Sequence, residues 1–331
     1  GGFQKVVDDG KKLGAPSKKY FIYNPKTGTI DGEGPMPDAG RGAHAMVYLP
    51  TTNQVLIVGG ASELNIRADQ PFPLEYEKSR GLKQALLFNL PTAEAPSGEF
   101  FPITSEHAKD HHVLRMARAF PRALVLGDGL VAVTGGGEWP TEQDEDYDRV
   151  EIFDAGAEEG QGAFTSVAKF NSFAPRSGHT LNFIKTQDDV TYALVYGGTT
   201  DGQPIAEVLR QSRLQSEGAD GHFMELKITG DKPAYTFFHT TTALSGLRFL
   251  VTGGVRYDPS TKQLKAPAKD EAYLLTYSDD EGKNPTLNIQ KVAGMGAGRV
   301  FHTAATSDFR RVSVIGGLDG MTALDTDKIT S

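Results

Sequence analysis

Five times along this chain a short leader is followed, at a nearly fixed distance, by a diglycine. Arg41-Gly-Ala-His44 leads to Gly59-Gly60, Arg118-Ala-Phe-Pro121 to Gly135-Gly136 and Arg176-Ser-Gly-His179 to Gly197-Gly198. Tyr235-Thr-Phe-Phe-His239 leads to Gly253-Gly254, and Arg299-Val-Phe-His302 to Gly316-Gly317. From the last leader residue to the first glycine the spacing is 15, 14, 18, 14 and 14 residues. Recurrence of one unit at a period of tens of residues defines a repeat architecture, in which every copy must bury its apolar face against the next.

Each interval reads as a hairpin. In the third copy, Thr180-Leu-Asn-Phe-Ile184 and Val190-Thr-Tyr-Ala-Leu-Val-Tyr196 flank a polar turn, and short β-branched and aromatic runs around a polar turn are strand signals rather than helix signals. A third apolar run follows each of the first four diglycines, at Ala85–Asn89, Val150–Asp154, Glu207–Arg210 and Ala272–Thr276. A fourth follows at Glu99–Ile103, Ala163–Val167, His222–Leu226 and Thr286–Ile289. The repeat is therefore a four-stranded antiparallel meander, and 38 Gly with 18 Pro among 331 residues supply the turns it needs.

Composition removes several function classes. No continuous apolar run reaches the length of a membrane span. A formal net charge of −8, with acidic residues clustered in loops, is the wrong sign for a phosphate backbone, so no nucleic-acid partner is expected. With no cysteine, disulfides, thiolate catalysis and Cys-ligated metals are excluded.

The pattern resembles kelch repeats, in a divergent form whose units read Arg-x-x-His, strand, Gly-Gly, then an aromatic-Asp/Asn-Pro-x-Thr-Gly turn. Tyr23-Asn24-Pro25-Lys-Thr-Gly28 is the clearest copy of that turn. The resemblance runs from about Tyr20 to Gly317 and departs from the family at the fourth-strand tryptophan, replaced by Ile30, Phe101, Phe164, Phe223 or Leu287. It implies an all-β propeller as a single domain over residues 1–331, with residues 1–19 irregular. Five blades are expected, with Tyr20–Ile30 pairing with the last hairpin to close the ring. The Gly1-Gly2-Phe3 start and a strand-like Asp327–Thr330 leave six blades open, in which case the chain is a fragment. Units of this phrasing look like those of bacterial exported proteins, which points to periplasm or cell surface without excluding the cytoplasm.

The diglycines are expected to be scaffold, because strands packed around an axis approach closely and glycine accepts positive φ. His44, His179, His239 and His302 fall in different blades, too spread for a tetrahedral site, and are expected to bond to a neighbouring blade. Arg41, Arg118, Arg176 and Arg299 should sit at the channel mouth, where they can either clamp a ligand carboxylate or form ion pairs with Asp or Glu.

The long connections, Ala61–Lys83, Thr104–Ala117, Gly137–Asp148, Thr199–Ala206 and Val255–Asp270, should emerge on one rim, where binding residues concentrate. Among them Trp139, Glu142, Asp144 and Tyr147 form an aromatic-acidic group, completed by His111, His112, Arg256 and Tyr257, with Asp69, Glu75 and Tyr76 alongside.

The leading expectation is a non-catalytic propeller that recognises a protein segment or a glycan through this rim, with no cofactor, no metal and no assigned catalytic residue. It rests on the lack of a nucleophile elbow, a phosphate loop or a metal-spaced ligand set in the sequence. One alternative is a sugar-modifying enzyme, mutarotase-like or lyase-like, with His111, His112, Glu142 and Arg176 available as acid and base. Another is a structural subunit of a surface assembly. Galactose-oxidase-like relatives of the kelch family use a cysteine cross-linked to tyrosine at their copper site, which this chain cannot build.

Overall fold

The computed structural model describes residues 3–4, 15–38, 40–65, 77–101, 106–127, 129–137, 150–165, 174–185, 191–199, 205–210, 223–234, 236–258, 260, 263–265, 271–279, 285–308 and 311–318. They form an all-β structure interrupted by a short helix, α1 (Glu106–His111), and a short turn segment, α2 (Ala157–Gly160), in which Glu158 and Glu159 have left-handed backbone angles. Two compact units divide the chain, residues 1–67 with 76–168, and residues 68–75 with 169–331.

In the first unit, two four-stranded antiparallel sheets follow the meander pattern. One runs Glu99–Phe100, Ala85–Asn89, Gln54–Val58, Ala45–Leu49, and the other Arg122–Gly127, Leu130–Thr134, Glu151–Asp154, Ala163–Thr165. Leu49, Leu56, Val58, Leu87, Leu114, Val131, Val133 and Phe153 make their common core. All but Leu114 are alternate inward positions of the strands, and complete burial of each Leu or Val contributes about 1.5–3 kcal/mol.

The second unit has a matching sheet of Thr180–Lys185, Thr191–Tyr196, Ala206–Arg210 and Phe223–Glu225. Its other large sheet has five strands, ordered Lys227–Gly230, Thr286–Val292, Ala272–Ser278, Arg248–Thr252, Thr240–Ala243. Lys227–Gly230 joins it in parallel with Thr286–Ile289, a pairing the meander pattern does not anticipate. Tyr196, Val208, Phe249, Val251, Leu275, Tyr277, Leu287 and Ile289 fill this unit's core. Of the residues read as fourth-strand positions, Phe223 and Leu287 are buried, whereas Ile30 is 54% exposed.

Lys19–Asn24 pairs with Thr29–Pro35, and Thr303–Asp308 with Arg311–Ile315, each as a separate two-stranded sheet. Among the described residues no ladder joins these hairpins, so the ring-closing pairing is not among the strand pairs described. Two of the long connections carry hairpins of their own, Ala61–Asn65 with Glu77–Gly81 and Arg256–Asp258 with Gln263–Lys265.

The leader and the diglycine prove to be two halves of one clamp. Nη1 of Arg41, Arg118, Arg176 and Arg299 donates to the carbonyl of Gly59, Gly135, Gly197 and Gly316, at 2.9, 2.6, 2.7 and 2.9 Å. The residue just before the leader's last position has positive φ in every unit described: Ala43, Phe120, Gly178, Phe238 and Phe301. Gly59, Gly197 and Gly253 also meet the following leader. A Cβ on Gly253 would stand 2.4 Å from the Arg299 carbonyl oxygen and 2.5 Å from His302 Cε1, and its φ is +65°. Only glycine tolerates both conditions.

Candidate metal centre

The arginines expected at a ligand-binding mouth are largely withdrawn from solvent. Arg41 and Arg118 are 0% exposed and Arg176 is 4% exposed. Asp38 Oδ2 accepts from Arg41 Nε at 2.9 Å, Glu151 Oε1 from Arg118 Nε at 2.8 Å, and Glu207 Oε2 from Arg176 Nε at 2.7 Å. These are the ion pairs of the alternative reading, and they leave the three guanidiniums no free face for a ligand. Burial lowers the Arg176 pKa while Glu207 raises it.

The leader histidines also act within the scaffold. His239 Nε2 lies 3.2 Å from Thr180 Oγ1, and His302 Nε2 lies 3.0 Å from Thr240 Oγ1 and 3.3 Å from Thr252 Oγ1. Threonine hydroxyls are among the partners, and the Thr252 backbone also bonds to His302. Burial holds the His44 and His302 pKa values down at about 4, with Arg41 and Arg299 respectively adding to the effect.

Of the loop residues, Trp139, Glu142, Asp144, Tyr147, Asp69, Glu75 and Tyr76 lie outside the described residues. Arg256 is exposed on the Arg256–Asp258 strand, which also carries Tyr257. His111 and His112 stand elsewhere, at the end of α1, where folding assembles a group that the sequence does not announce.

α1 continues the chain beyond the outer strand Glu99–Phe100, and its end is tied to the sheet by Ala85 N donating to the His112 carbonyl at 2.8 Å. His107 and His111, four residues apart, fall on one face of the helix. Their rings stack with centroids 4.5 Å apart and planes 19° from parallel. Glu158 approaches from α2, its Oε1 3.9 Å from His111 Nδ1. One ligand-type atom from each of His107, His111 and Glu158 lies within 4.8 Å of the other two. The ligands of a tetrahedral ion with bonds of about 2.0–2.2 Å stand roughly 3.4 Å apart, so a small inward rotation of exposed side chains suffices.

The surroundings fix the tautomers. His107 Nε2 is 2.8 Å from the Gly162 carbonyl oxygen, and His112 Nε2 is 3.1 Å from the carbonyls of both Gln161 and Gly162. A carbonyl only accepts, so both Nε2 atoms carry hydrogen, and in the neutral ring the lone pair is then on Nδ1. Orientation of a ligand imidazole by a backbone carbonyl is the usual outer support of a metal-bound histidine. His112 is 2% exposed, packed edge-on against Phe153 with ring centroids 5.8 Å apart, and its pKa is lowered by burial, against the raising effect of the two carbonyl bonds. It works as a strut rather than a ligand. Gly162, at φ +78°, is required because a Cβ there would come within 2.4 Å of Phe153 Cζ.

His107 and Glu158 are the residues that sequence reasoning misses. His107-Ala-Lys-Asp-His111 has the spacing of a helical ligand pair, a signal usable only once the segment is known to be helical. The sequence reading names no metal-spaced ligand set; in the structure His107, His111 and Glu158 come together from α1 and α2 as a group that could hold an ion.

No protein-family model and no curated protein sequence matches the chain. Among 103 solved chains that match it in structure is a fungal alcohol oxidase, described as showing catalytic diversity among the AA5 family and solved in complex with copper. The two share 14% sequence identity with a TM-score of 0.51, over 95% of this chain and 55% of the oxidase. This chain thus spans about half the length of its structural neighbour, and the likeness is one of fold. That neighbour is an enzyme, which counts at the level of fold against the expected non-catalytic binding scaffold, and that expectation is set aside.

Proposed function

We propose that this chain is a metal-dependent enzyme built on kelch-type blades, with His107, His111 and Glu158 as the protein ligands of a divalent transition metal. The observation that carries the reading is the convergence of three ligand atoms within 4.8 Å, on segments that the sequence places far apart. The repeated Arg-diglycine clamps and the four-stranded meanders support the blade reading, and the resemblance extends it to a propeller.

Two imidazoles and a carboxylate form a borderline donor set that suits Zn²⁺ or Cu²⁺ and fits Ca²⁺ or Mg²⁺ poorly. Three protein ligands leave a coordination position for water or substrate, as catalytic sites do and closed structural sites do not. An ion bound there would act as a Lewis acid on a hydroxyl or carbonyl group. The protein's part is to hold His107 by the Gly162 carbonyl, keep its Nδ1 lone pair free, and leave His111 and Glu158 partly open, at 37% and 52% side-chain exposure. A copper centre with a cysteine-tyrosine cross-link does not fit a chain without cysteine, and no step is routed through one.

The test begins with the full chain stripped by a chelator and titrated calorimetrically with Zn²⁺ and with Cu²⁺. One equivalent should bind in the wild type and none in His107→Ala or His111→Ala. The loaded protein is then assayed on panels of alcohols and of esters, and turnover should appear on loading and vanish on chelation. Absence of binding would refute the site, and stoichiometric binding with no turnover on either panel would refute the enzymatic reading.

A further inference from the structure

Resting on the metal-site reading, we propose that the turn Glu158–Gly162 is a strained ligand arm, held in a left-handed conformation so that Glu158 faces His111, and that metal loading closes it onto α1. The backbone gives the first reason. Glu158 has φ 51° and ψ 53°, Glu159 has φ 60° and ψ 31°, and Gly160 and Gly162 follow at φ 84° and 78°. L-residues enter this region as single residues, usually Gly or Asn, because their Cβ crowds the following carbonyl. Two glutamates in succession have neither glycine's freedom nor asparagine's local hydrogen bond.

The anchoring gives the second. The turn is closed by Gln161 N donating to the Glu158 carbonyl at 3.2 Å and Gly162 N to the Ala157 carbonyl at 3.0 Å. Its far end is pinned to α1, since the Gly162 carbonyl accepts from both His107 and His112, at 2.8 and 3.1 Å. The glutamate-bearing tip returns to the same helix through Glu158 and His111, 3.9 Å apart. α1 and the residue after it therefore hold the base of the arm with one part-buried and one buried bond, and α1 meets its tip through a long contact between partly exposed side chains. Strained backbone persists where its surroundings over-determine it, and it concentrates at ligand clamps. An exposed pair at such a separation contributes little by itself. Among the described residues, a cation shared with His107 and His111 is the partner that this tip is shaped to meet.

Glycine substitution separates strain from ligation, because it relaxes the backbone at either glutamate but removes a ligand at only one. Wild type, Glu158→Gly and Glu159→Gly are compared as full-length, chelator-stripped proteins by thermal melting and by calorimetric titration with Zn²⁺. Without Zn²⁺ both variants should melt at or above the wild-type temperature. On Zn²⁺ addition, wild type and Glu159→Gly should shift upward, while Glu158→Gly should not, with affinity at least about tenfold weaker. Zn²⁺ affinity of Glu158→Gly within about twofold of wild type would overturn the arm. Either variant melting clearly below wild type would overturn the strain. If the wild type binds neither Zn²⁺ nor Cu²⁺, the underlying site fails, an outcome distinct from both.

Discussion

Neutralising Glu207 by Glu207→Gln tests whether the repeated arginines are scaffold or site. Arg176 reaches Glu207 Oε2 through Nε at 2.7 Å and Nη2 at 2.5 Å, and its Nη1 donates to the Gly197 and Ile205 carbonyls at 2.7 and 3.3 Å. Their side chains are 2% and 0% exposed. At an effective dielectric near 20, unit charges about 4 Å apart attract by about 4 kcal/mol, and removing one member of a buried pair typically costs 3–5 kcal/mol. Glutamine conserves volume, so the loss comes from the uncompensated guanidinium rather than from a cavity. About 4 kcal/mol corresponds to roughly 10 °C in melting temperature for a unit of this size.

The control is the double variant Arg176→Met with Glu207→Leu, which removes both charges. It should recover most of the loss and retain a deficit of about 1–2 kcal/mol for the carbonyls left without a donor. Urea unfolding with m-values compared across the set gives the coupling energy. A cost below about 1 kcal/mol for Glu207→Gln, or simple additivity in the double variant, would refute the buried-pair account.

Acid should destabilise the fold through His302. Its folded pKa of about 4 lies below the ordinary histidine value of about 6.5, so the unfolded chain takes up a proton first and stability falls as pH drops from about 6.5 toward 4. By pH 5 the loss is about 2 kcal/mol, and His302→Gln should remove that share of the pH dependence in urea titrations at pH 7 and pH 5. Gly253→Ala should cost more than about 3 kcal/mol or prevent folding, since the added methyl meets a backbone oxygen at 2.4 Å, whereas Gly246→Ala, with nothing within 4 Å, pays only the cost of positive φ. Circular dichroism melts compare the two. His112→Leu should weaken Zn²⁺ binding about 10–100-fold with the three ligands intact, and His112→Gln, which keeps a donor for the Gly162 carbonyl, should recover much of it. Equal affinity in both variants would leave His112 a packing residue only.

The repeat was legible because its clamp closes within one unit. Each arginine and the glycine carbonyl it holds are 17, 17, 18 or 21 residues apart, which preserves a motif in the linear sequence. The carboxylates that neutralise the arginines do not share this property. Asp38 lies three residues before Arg41, whereas Glu151 and Glu207 lie 33 and 31 residues after their arginines. Local pattern alone therefore cannot decide between ion pair and ligand clamp. The metal group was less legible still, because α1 is a single six-residue segment inside a connection and Glu158 occupies a backbone region where sequence rules expect glycine. The parallel strand Lys227–Gly230 depends on partners 59 residues away.

Strand register supplies what spacing could not. The third-strand residue opposite Val133 is Glu151, and the one opposite Val195 is Glu207, so the same place in two sheets provides the acid for Arg118 and Arg176. In the next sheet that place, opposite Val251, is Tyr273, and there the leader carries Thr236 in place of arginine, three residues before His239. In the first sheet the place opposite Ile57 is Leu86, and Arg41 draws its carboxylate from Asp38 instead. In the four units whose third strand is described, the charge of Arg118 and Arg176 comes with its register partner, both are absent from the fourth unit, and in the first the partner is replaced from a new direction. A ligand-binding arginine has no reason to follow the register of its own sheet, whereas a buried cation needs a counter-charge wherever it occurs. Transplanting the pair should therefore succeed only as a pair: Thr236→Arg with Tyr273→Glu should fold with a melting temperature above that of Thr236→Arg alone. Equal stability of the two would show that the leader arginine in that unit needs no partner.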